Sequence, residues 1–254
     1  MYYFIYSLAS GKKNRAAALK NQLASFDIVG DFAIAKTPEE IFELTKKAKT
    51  GGFATLVIIG GDGAINCTIQ EIVGTEIVLG VIPIGQNNIF SKTLGITSIG
   101  TAINALLPRK VELIDVGKCN NFYFASYLKI GREVKRQKLF GTTKKSEAFQ
   151  ANLELDEGKL NLRGEFSDIT ISKVTLPYRE NIPEELSDGL LKILLKSNIK
   201  TPTILKASKI ALKTIPELSL YFDGEERGFT PAEIEVQTKS LRVIVPKESE
   251  LTNL

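Results

Sequence analysis

The chain has 254 residues, 43% of them hydrophobic, enough to bury a sizeable core in one large domain or two small ones. It contains no histidine, which excludes Ser-His-Asp triads, Cys-His pairs and histidine metal sites. Acid–base work then falls to Asp, Glu, Lys or Tyr, and any metal is a hard cation on oxygen ligands. The formal net charge of +4 suits an anionic ligand or an anionic membrane surface, is too small to argue for nucleic acid, and fits a merely soluble basic surface equally well.

The elements follow in chain order. YYFIYS (Tyr2–Ser7) reads as a strand. Its apolar stretch of about six residues, with no basic region before it, makes a poor signal peptide, so it is taken as the first strand of the mature fold. KKNRAAALKNQLASF reads as a helix and DFAIAK as a short strand. Thr37 before Pro38 and Glu40 is an N-cap with proline at the first helical position, and the helix PEEIFELTKKAK stops at Gly51-Gly52. FATLVIIG and EIVLGVIPIG are uninterrupted apolar runs, the pattern of parallel strands buried on both faces. SIGTAINALL, before Pro108, reads as a short helix. This alternation predicts an open parallel sheet with helices on both sides. No apolar run is long enough to span a bilayer as a helix.

After Pro108 the texture changes. VELIDVGKCNNFYFASYLKI predicts two strands around Asn120-Asn121, and AFQANLELDEGKLNLRGEFSDITISKV repeats the pattern around Glu157-Gly158. LLKILLKS, LSLYFDGEE and AEIEVQTKSLRVIVP add further strands of an antiparallel β domain. One helix is predicted within it, PTILKASKIALKTI, with Ile204, Leu205, Ile210, Leu212 and Ile215 as its apolar set. The expected division is an α/β domain over residues 1–110, an open parallel sheet that binds a nucleotide, then a β-rich antiparallel, sandwich-like domain over residues 111–254 that takes the acceptor. Cys67 and Cys119 stand far apart, which fits a reducing, cytoplasmic compartment and implies no disulfide or zinc framework.

Chemistry concentrates where the apolar run LVIIG meets Gly60-Gly61-Asp62-Gly63 and turns into a helix. Glycine lets a backbone approach an anion closely, and free N–H groups at a helix start favour negative charge. Asp62 stands at the carboxyl end of a sheet strand, where open α/β folds bind ligands. A plain tight turn accounts for the glycines about as well. The turn has neither the G-x-x-x-x-G-K-[ST] nor the G-x-G-x-x-G spacing. A second loop, VIPIGQNNIFSKTLGI, follows the next buried strand. Gly85, Gln86, Asn87 and Asn88 sit at the same sheet edge, although Asn supplies turn chemistry routinely.

GGDGAIN, followed about twenty residues later by LGVIPIGQNNIFSKTLGI, resembles the catalytic domain of the diacylglycerol kinase family. That family takes in bacterial lipid kinases, ceramide kinases and sphingosine kinases and is related to NAD kinases and phosphofructokinases. Its usual pattern is G-G-D-G-T-x-N, then P-x-G-T-x-N-D-F-A-R-x-L-G. Two later segments match as well: PEELSDGLLKILLKS resembles P-x-A-x-x-x-D-G-L-L-D-V, and LSLYFDGEERG resembles x-x-D-G-E.

The resemblance implies a kinase that passes the γ-phosphoryl group of ATP to a hydroxyl of diacylglycerol or a similar long-chain alcohol, with ATP and Mg²⁺ as cofactors. Gly60, Gly61 and Gly63 would cradle the phosphates, Asp62 would hold Mg²⁺ near them, and Asn66, Gly85, Gln86 and Asn88 complete the nucleotide loops. Ser10, Gly11 and Lys12 keep the tail of the family's N-P-x-x-G loop, and Thr37 matches a nucleotide-contacting threonine. Glu225 would take the proton of the acceptor hydroxyl. Asp188, with the carbonyls of Glu185 and Leu190, would hold a structural Mg²⁺. The implied partner is a lipid alcohol at a membrane surface, met through peripheral contact by REVKRQK, TTKKS and LKASKIALK, with a homodimer compatible and nucleic acid not expected. The pattern departs at Ala64 and Gln86, each replacing a threonine, at Ile89, replacing an aspartate, and at Arg132, where many members have aspartate. A kinase of a soluble acceptor such as NAD and a nucleotide- or lipid-binding relative with little activity stay open as alternatives.

Overall fold

The computed structural model describes residues 2–10, 13–131, 147–173, 186–197 and 201–247. Its contacts fall into two units, the first holding the described residues up to Val116, those of 186–188 and those from Thr238, the second holding the described residues of 117–173 and 189–237. The expected boundary at residue 110 falls at the start of the strand Lys110–Cys119, which runs from one unit into the other.

In the first unit, strands β1 (Tyr2–Ser7), β2 (Gly30–Ala35), β3 (Thr55–Gly60) and β4 (Val78–Pro83) lie parallel in the order β2-β1-β3-β4. Tyr2 stands opposite Gly30 on one side and Thr55 on the other, and Thr55 opposite Val78. Every residue of β3 and β4 is buried, as their unbroken apolar runs require. Helices α1 (Lys13–Ala24), α2 (Pro38–Thr50) and α3 (Asp62–Ile72) connect the strands, and the short α4 (Ile89–Thr93) and α5 (Ile99–Leu106) follow β4. Thr37 caps α2, its hydroxyl accepting the Glu40 N–H, and Ser98 forms a capping box with Thr101 at α5.

The chain runs from β1 outward to β2 and then back across to β3. The strand order therefore reverses at β1, and the loops after β1 and β3 flank the crevice where such sheets bind ligands.

The second unit is antiparallel. Strands β6 (Phe122–Phe124), β7 (Tyr127–Ile130), β8 (Phe149–Leu155), β9 (Leu160–Phe166), β10 (Asp168–Ser172), β11 (Leu191–Lys196), β12 (Thr203–Ala207), β13 (Lys209–Ile215), β14 (Ser219–Phe222) and β15 (Glu225–Phe229) lie within it, while β5 (Lys110–Cys119) and β16 (Ala232–Val245) serve both units. One sheet has the order β12-β11-β10-β7-β14-β15; β16, β13, β8 and β9 are neighbours in the other. Leu128, Ile169, Ile193 and Leu220 of the first meet Leu153, Ile210, Leu212 and Ile234 of the second in one core, a sandwich as expected. The hairpins at Asn120-Asn121 and at Glu157-Gly158 form where turn chemistry put them.

The helix expected over PTILKASKIALKTI is absent. The segment is β12 and β13, joined at Ser208. Burial in β13 alternates strictly, Ile210, Leu212 and Thr214 inward, so the working period is two and not 3.6. Ile204 and Ile215, counted in the apolar set of a helix, are exposed at 63% and 69%.

Candidate functional site

Two loops of the first unit meet through glycines. A Cβ placed on Gly85 would lie 2.6 Å from the Cα of Gly61, so the loops after β3 and β4 pass at a distance only hydrogen allows. Gly61 donates its N–H to Ser10 Oγ at 3.1 Å, bringing in the loop after β1. Gly61 is the N-cap of α3 and offers no side chain, so no side chain caps that helix start. Asn88, at φ 50°, holds the second loop in shape: its Oδ1 accepts the Gly85 N–H at 3.0 Å and its Nδ2 donates to the Gly85 carbonyl at 2.8 Å. Both carboxylate oxygens of Asp62 accept backbone N–H groups of α4, from Ile89 at 3.0 Å and Phe90 at 2.9 Å. A carboxylate has about four lone-pair sites, so this use leaves acceptor capacity. Asp62, Gly61, Gly85, Asn88 and Ser10 thus form one connected cluster.

Other expected nucleotide residues fall differently. Asn66 lies inside α3 with no exposure, its Oδ1 accepting from Gln70 Nε2, so it supports the helix and presents no surface. Thr37 is exposed and caps α2, Gln86 is exposed, and Gly11 and Lys12 lie outside the described residues. Gly60 packs against Ala64: a Cβ at Gly60 would come within 2.8 Å of the Ala64 methyl and 3.3 Å of Ser7 Cβ.

In the second unit, the Asp-Gly turn between β14 and β15 is anchored by Asp223. Its carboxylate accepts the N–H groups of Ala125 and Ser126 at 3.1 Å and of Tyr127 at 2.9 Å, which ties the turn to the connection between β6 and β7. Glu225 opens β15 with its side chain 38% exposed, and its Oε2 accepts from Arg227 Nη2 at 2.7 Å. Of the expected metal residues, Asp188 belongs to the first unit and is exposed, Glu185 lies outside the described residues, and the Leu190 carbonyl, in the second unit, accepts from Lys173 Nζ at 2.9 Å. The described residues contain no group of three or more Cys, Asp or Glu that could hold a metal ion.

Residues 1–119 match the model of the diacylglycerol kinase catalytic domain family. That segment belongs to the family. A diacylglycerol kinase of Bacillus subtilis is 25% identical over 290 residues, covering 96% of each chain. One of Staphylococcus epidermidis is 23% identical, covering 96% of this chain and 92% of its own. An uncharacterized protein of Synechocystis sp. is 26% identical over 83% of this chain, which spans only 59% of that protein. The crystal structure of a diacylglycerol kinase from Bacillus anthracis superposes with a TM-score of 0.80 over 96% of both chains at 22% identity, a likeness of fold.

With the diacylglycerol kinase resemblance borne out, its departures at Ala64, Gln86 and Ile89 acquire locations, while Arg132 lies outside the described residues. Ile89, in place of the family's aspartate, still supplies its backbone N–H to Asp62, so the two loops stay joined without that carboxylate. Ala64, in place of threonine, fills the space over Gly60. The glycine and Ser10 cradle suits a phosphate chain. The described part of the structural Mg²⁺ set does not suit a cation, because an ammonium already uses one of its oxygens. Sequence reasoning passed over Arg227 and Lys173. Alternation was the signal for both: Arg227 shares a strand face with Glu225 two residues before it, and Lys173 continues the parity of Ile169 and Ile171.

Proposed function

We propose that the chain is an ATP-dependent lipid kinase that phosphorylates a hydroxyl of diacylglycerol or a similar long-chain alcohol. The observation that carries this reading is the approach of Gly61 and Gly85 at the start of α3, which no side chain caps, a cradle for a phosphate chain beside the crevice where strand order reverses. ATP supplies the transferred phosphoryl group when bound, with a divalent ion as in most phosphoryl transfer. Ser10, Gly61, Gly63 and Gly85 bind and orient the phosphates, and Asp62 keeps the two loops in register. Glu225 takes the proton of the acceptor hydroxyl as the new O–P bond forms and the bond to the ADP oxygen breaks. Arg227 fixes the rotamer of Glu225 beforehand. Among the described residues no helix is long and apolar enough to cross a membrane, so the lipid is met from the side, with peripheral contact and a homodimer as parts of the same reading.

The test is purified protein with labelled ATP and Mg²⁺, mixed micelles carrying diacylglycerol, ceramide or sphingosine, and NAD in a separate arm. Phosphorylation of a lipid is expected, with Glu225→Gln reducing turnover by about 10²–10⁴-fold while nucleotide binding persists. Phosphorylation of NAD alone, or a Glu225→Gln variant of full activity, defeats the proposal. A second reading, a nucleotide-binding relative with little activity, draws on the 2.7 Å pairing of Glu225 with Arg227, which occupies the proposed base. ATP binding with no acceptor phosphorylated is its signature.

A further inference from the structure

Lys173 follows β10 directly and Leu190 directly precedes β11, two strands that pair antiparallel with Ser172 opposite Lys192. The lysine is 1% exposed, a burial that an ammonium tolerates only where oxygens replace its water. Its Nζ donates to the Leu190 carbonyl at 2.9 Å, and its backbone N–H donates to the Ser126 carbonyl at 3.1 Å. Ser126 in turn donates its N–H to Asp223, the anchor of the turn that carries Glu225. One residue therefore ties the start of β11 to the connection between β6 and β7, with a buried positive charge on a main-chain oxygen.

The Leu190 carbonyl is an oxygen that the family resemblance gives to a structural Mg²⁺. Mg²⁺ needs ligands at about 2.0–2.1 Å, so an ion on this oxygen would sit against the ammonium, like charges in a site poor in water. Asp188, the carboxylate of the same set, is exposed. We propose that the Lys173 ammonium takes the place of the structural divalent cation at this turn, so that the chain folds without a metal there. The proposal does not depend on which acceptor is phosphorylated.

Nucleotide-free protein tests it, since a catalytic metal arriving with ATP is then excluded. Thermal unfolding in EDTA and in millimolar Mg²⁺ is expected to give the same Tm, and Mn²⁺ titration followed by electron paramagnetic resonance is expected to show no site that Asp188→Asn removes. Lys173→Met, which keeps the length and loses the charge, is expected to lower Tm by about 4 °C or more in both buffers. A fall in the wild-type Tm on chelation, a Mn²⁺ site lost in Asp188→Asn, or an unchanged Tm in Lys173→Met overturns the proposal. If Lys173→Met fails to fold, the wild-type chelation and Mn²⁺ measurements decide.

Discussion

Gly85 leaves the loops after β3 and β4 room for a hydrogen and no more. A methyl group there would press on the Gly61 backbone at 2.6 Å, and backbone cannot swing aside as a side-chain tip can. We predict that Gly85→Ala weakens nucleotide binding by tenfold or more, about 1.4 kcal/mol, in a titration with a fluorescent ATP analogue. Gly100→Ala, where the nearest atom is Ser98 Oγ at 3.7 Å, should leave affinity unchanged. At this scale the sequence put the glycines and Asp62 at one sheet edge, and the contacts between Gly85 and Gly61 and from Asp62 to α4 came only with the structure. Asn66 looked like a ligand-facing amide and is buried within α3, its Oδ1 accepting from Gln70 Nε2.

Elements are held by a few carboxylates on backbone amides. Asp156, at the tip of the β8–β9 hairpin, accepts the Ser208 hydroxyl at 2.8 Å and the N–H groups of Ser208 and Lys209 at 2.9 and 3.0 Å, fixing that hairpin to the turn between β12 and β13. Burial pushes its carboxyl upward, but the Ser208 hydroxyl and the two backbone amides outweigh burial and hold it below its ordinary value of 3.8. A carboxylate with a depressed pKa stabilises the fold above the unfolded pKa, and that contribution is lost as pH falls through the folded pKa. The gap in urea midpoint between wild type and Asp156→Ala should therefore be constant above about pH 5 and close as pH falls below 3.8. The elements most readily read from sequence were those with strong local signals, the capped α2 and the Asn-Asn and Glu-Gly hairpins. β12 and β13 were misread because Lys, Ala and Leu favour helix locally, while pairing of β13 with β8 and β16 imposed the strand.

For the whole molecule, the two thiols report on folding. Cys119 is fully buried in the core of the second unit, and burial first, then the nearby Glu233 charge, pushes its pKa up to about 12. Thiolate is the reactive form, so at pH 8 a native Cys119 should resist a disulfide reagent and react only as the unit opens. A Cys67→Ala variant should take up label at the rate of unfolding; rapid labelling without denaturant would contradict this burial. The same scale contains the return of the chain at β16, whose Ala232–Glu235 stretch pairs with β13 and whose Arg242 and Val243 pair parallel with β4. No local pattern announces that return, because a strand's partners are chosen by long-range pairing.

By itself the sequence determined the alternation of buried strands and helices, the glycine turns, the antiparallel texture after Pro108 and the absence of histidine chemistry, since each rests on local period, backbone freedom or composition. Only the tertiary structure decided that Asp62 spends its oxygens on α4, that Arg227 holds Glu225 and that Lys173 sits on the Leu190 carbonyl. Asp62 and Lys173 reach residues distant in the chain, and the Arg227 pairing depends on the strand that β15 forms with β14. No window of residues contains the energy of such contacts.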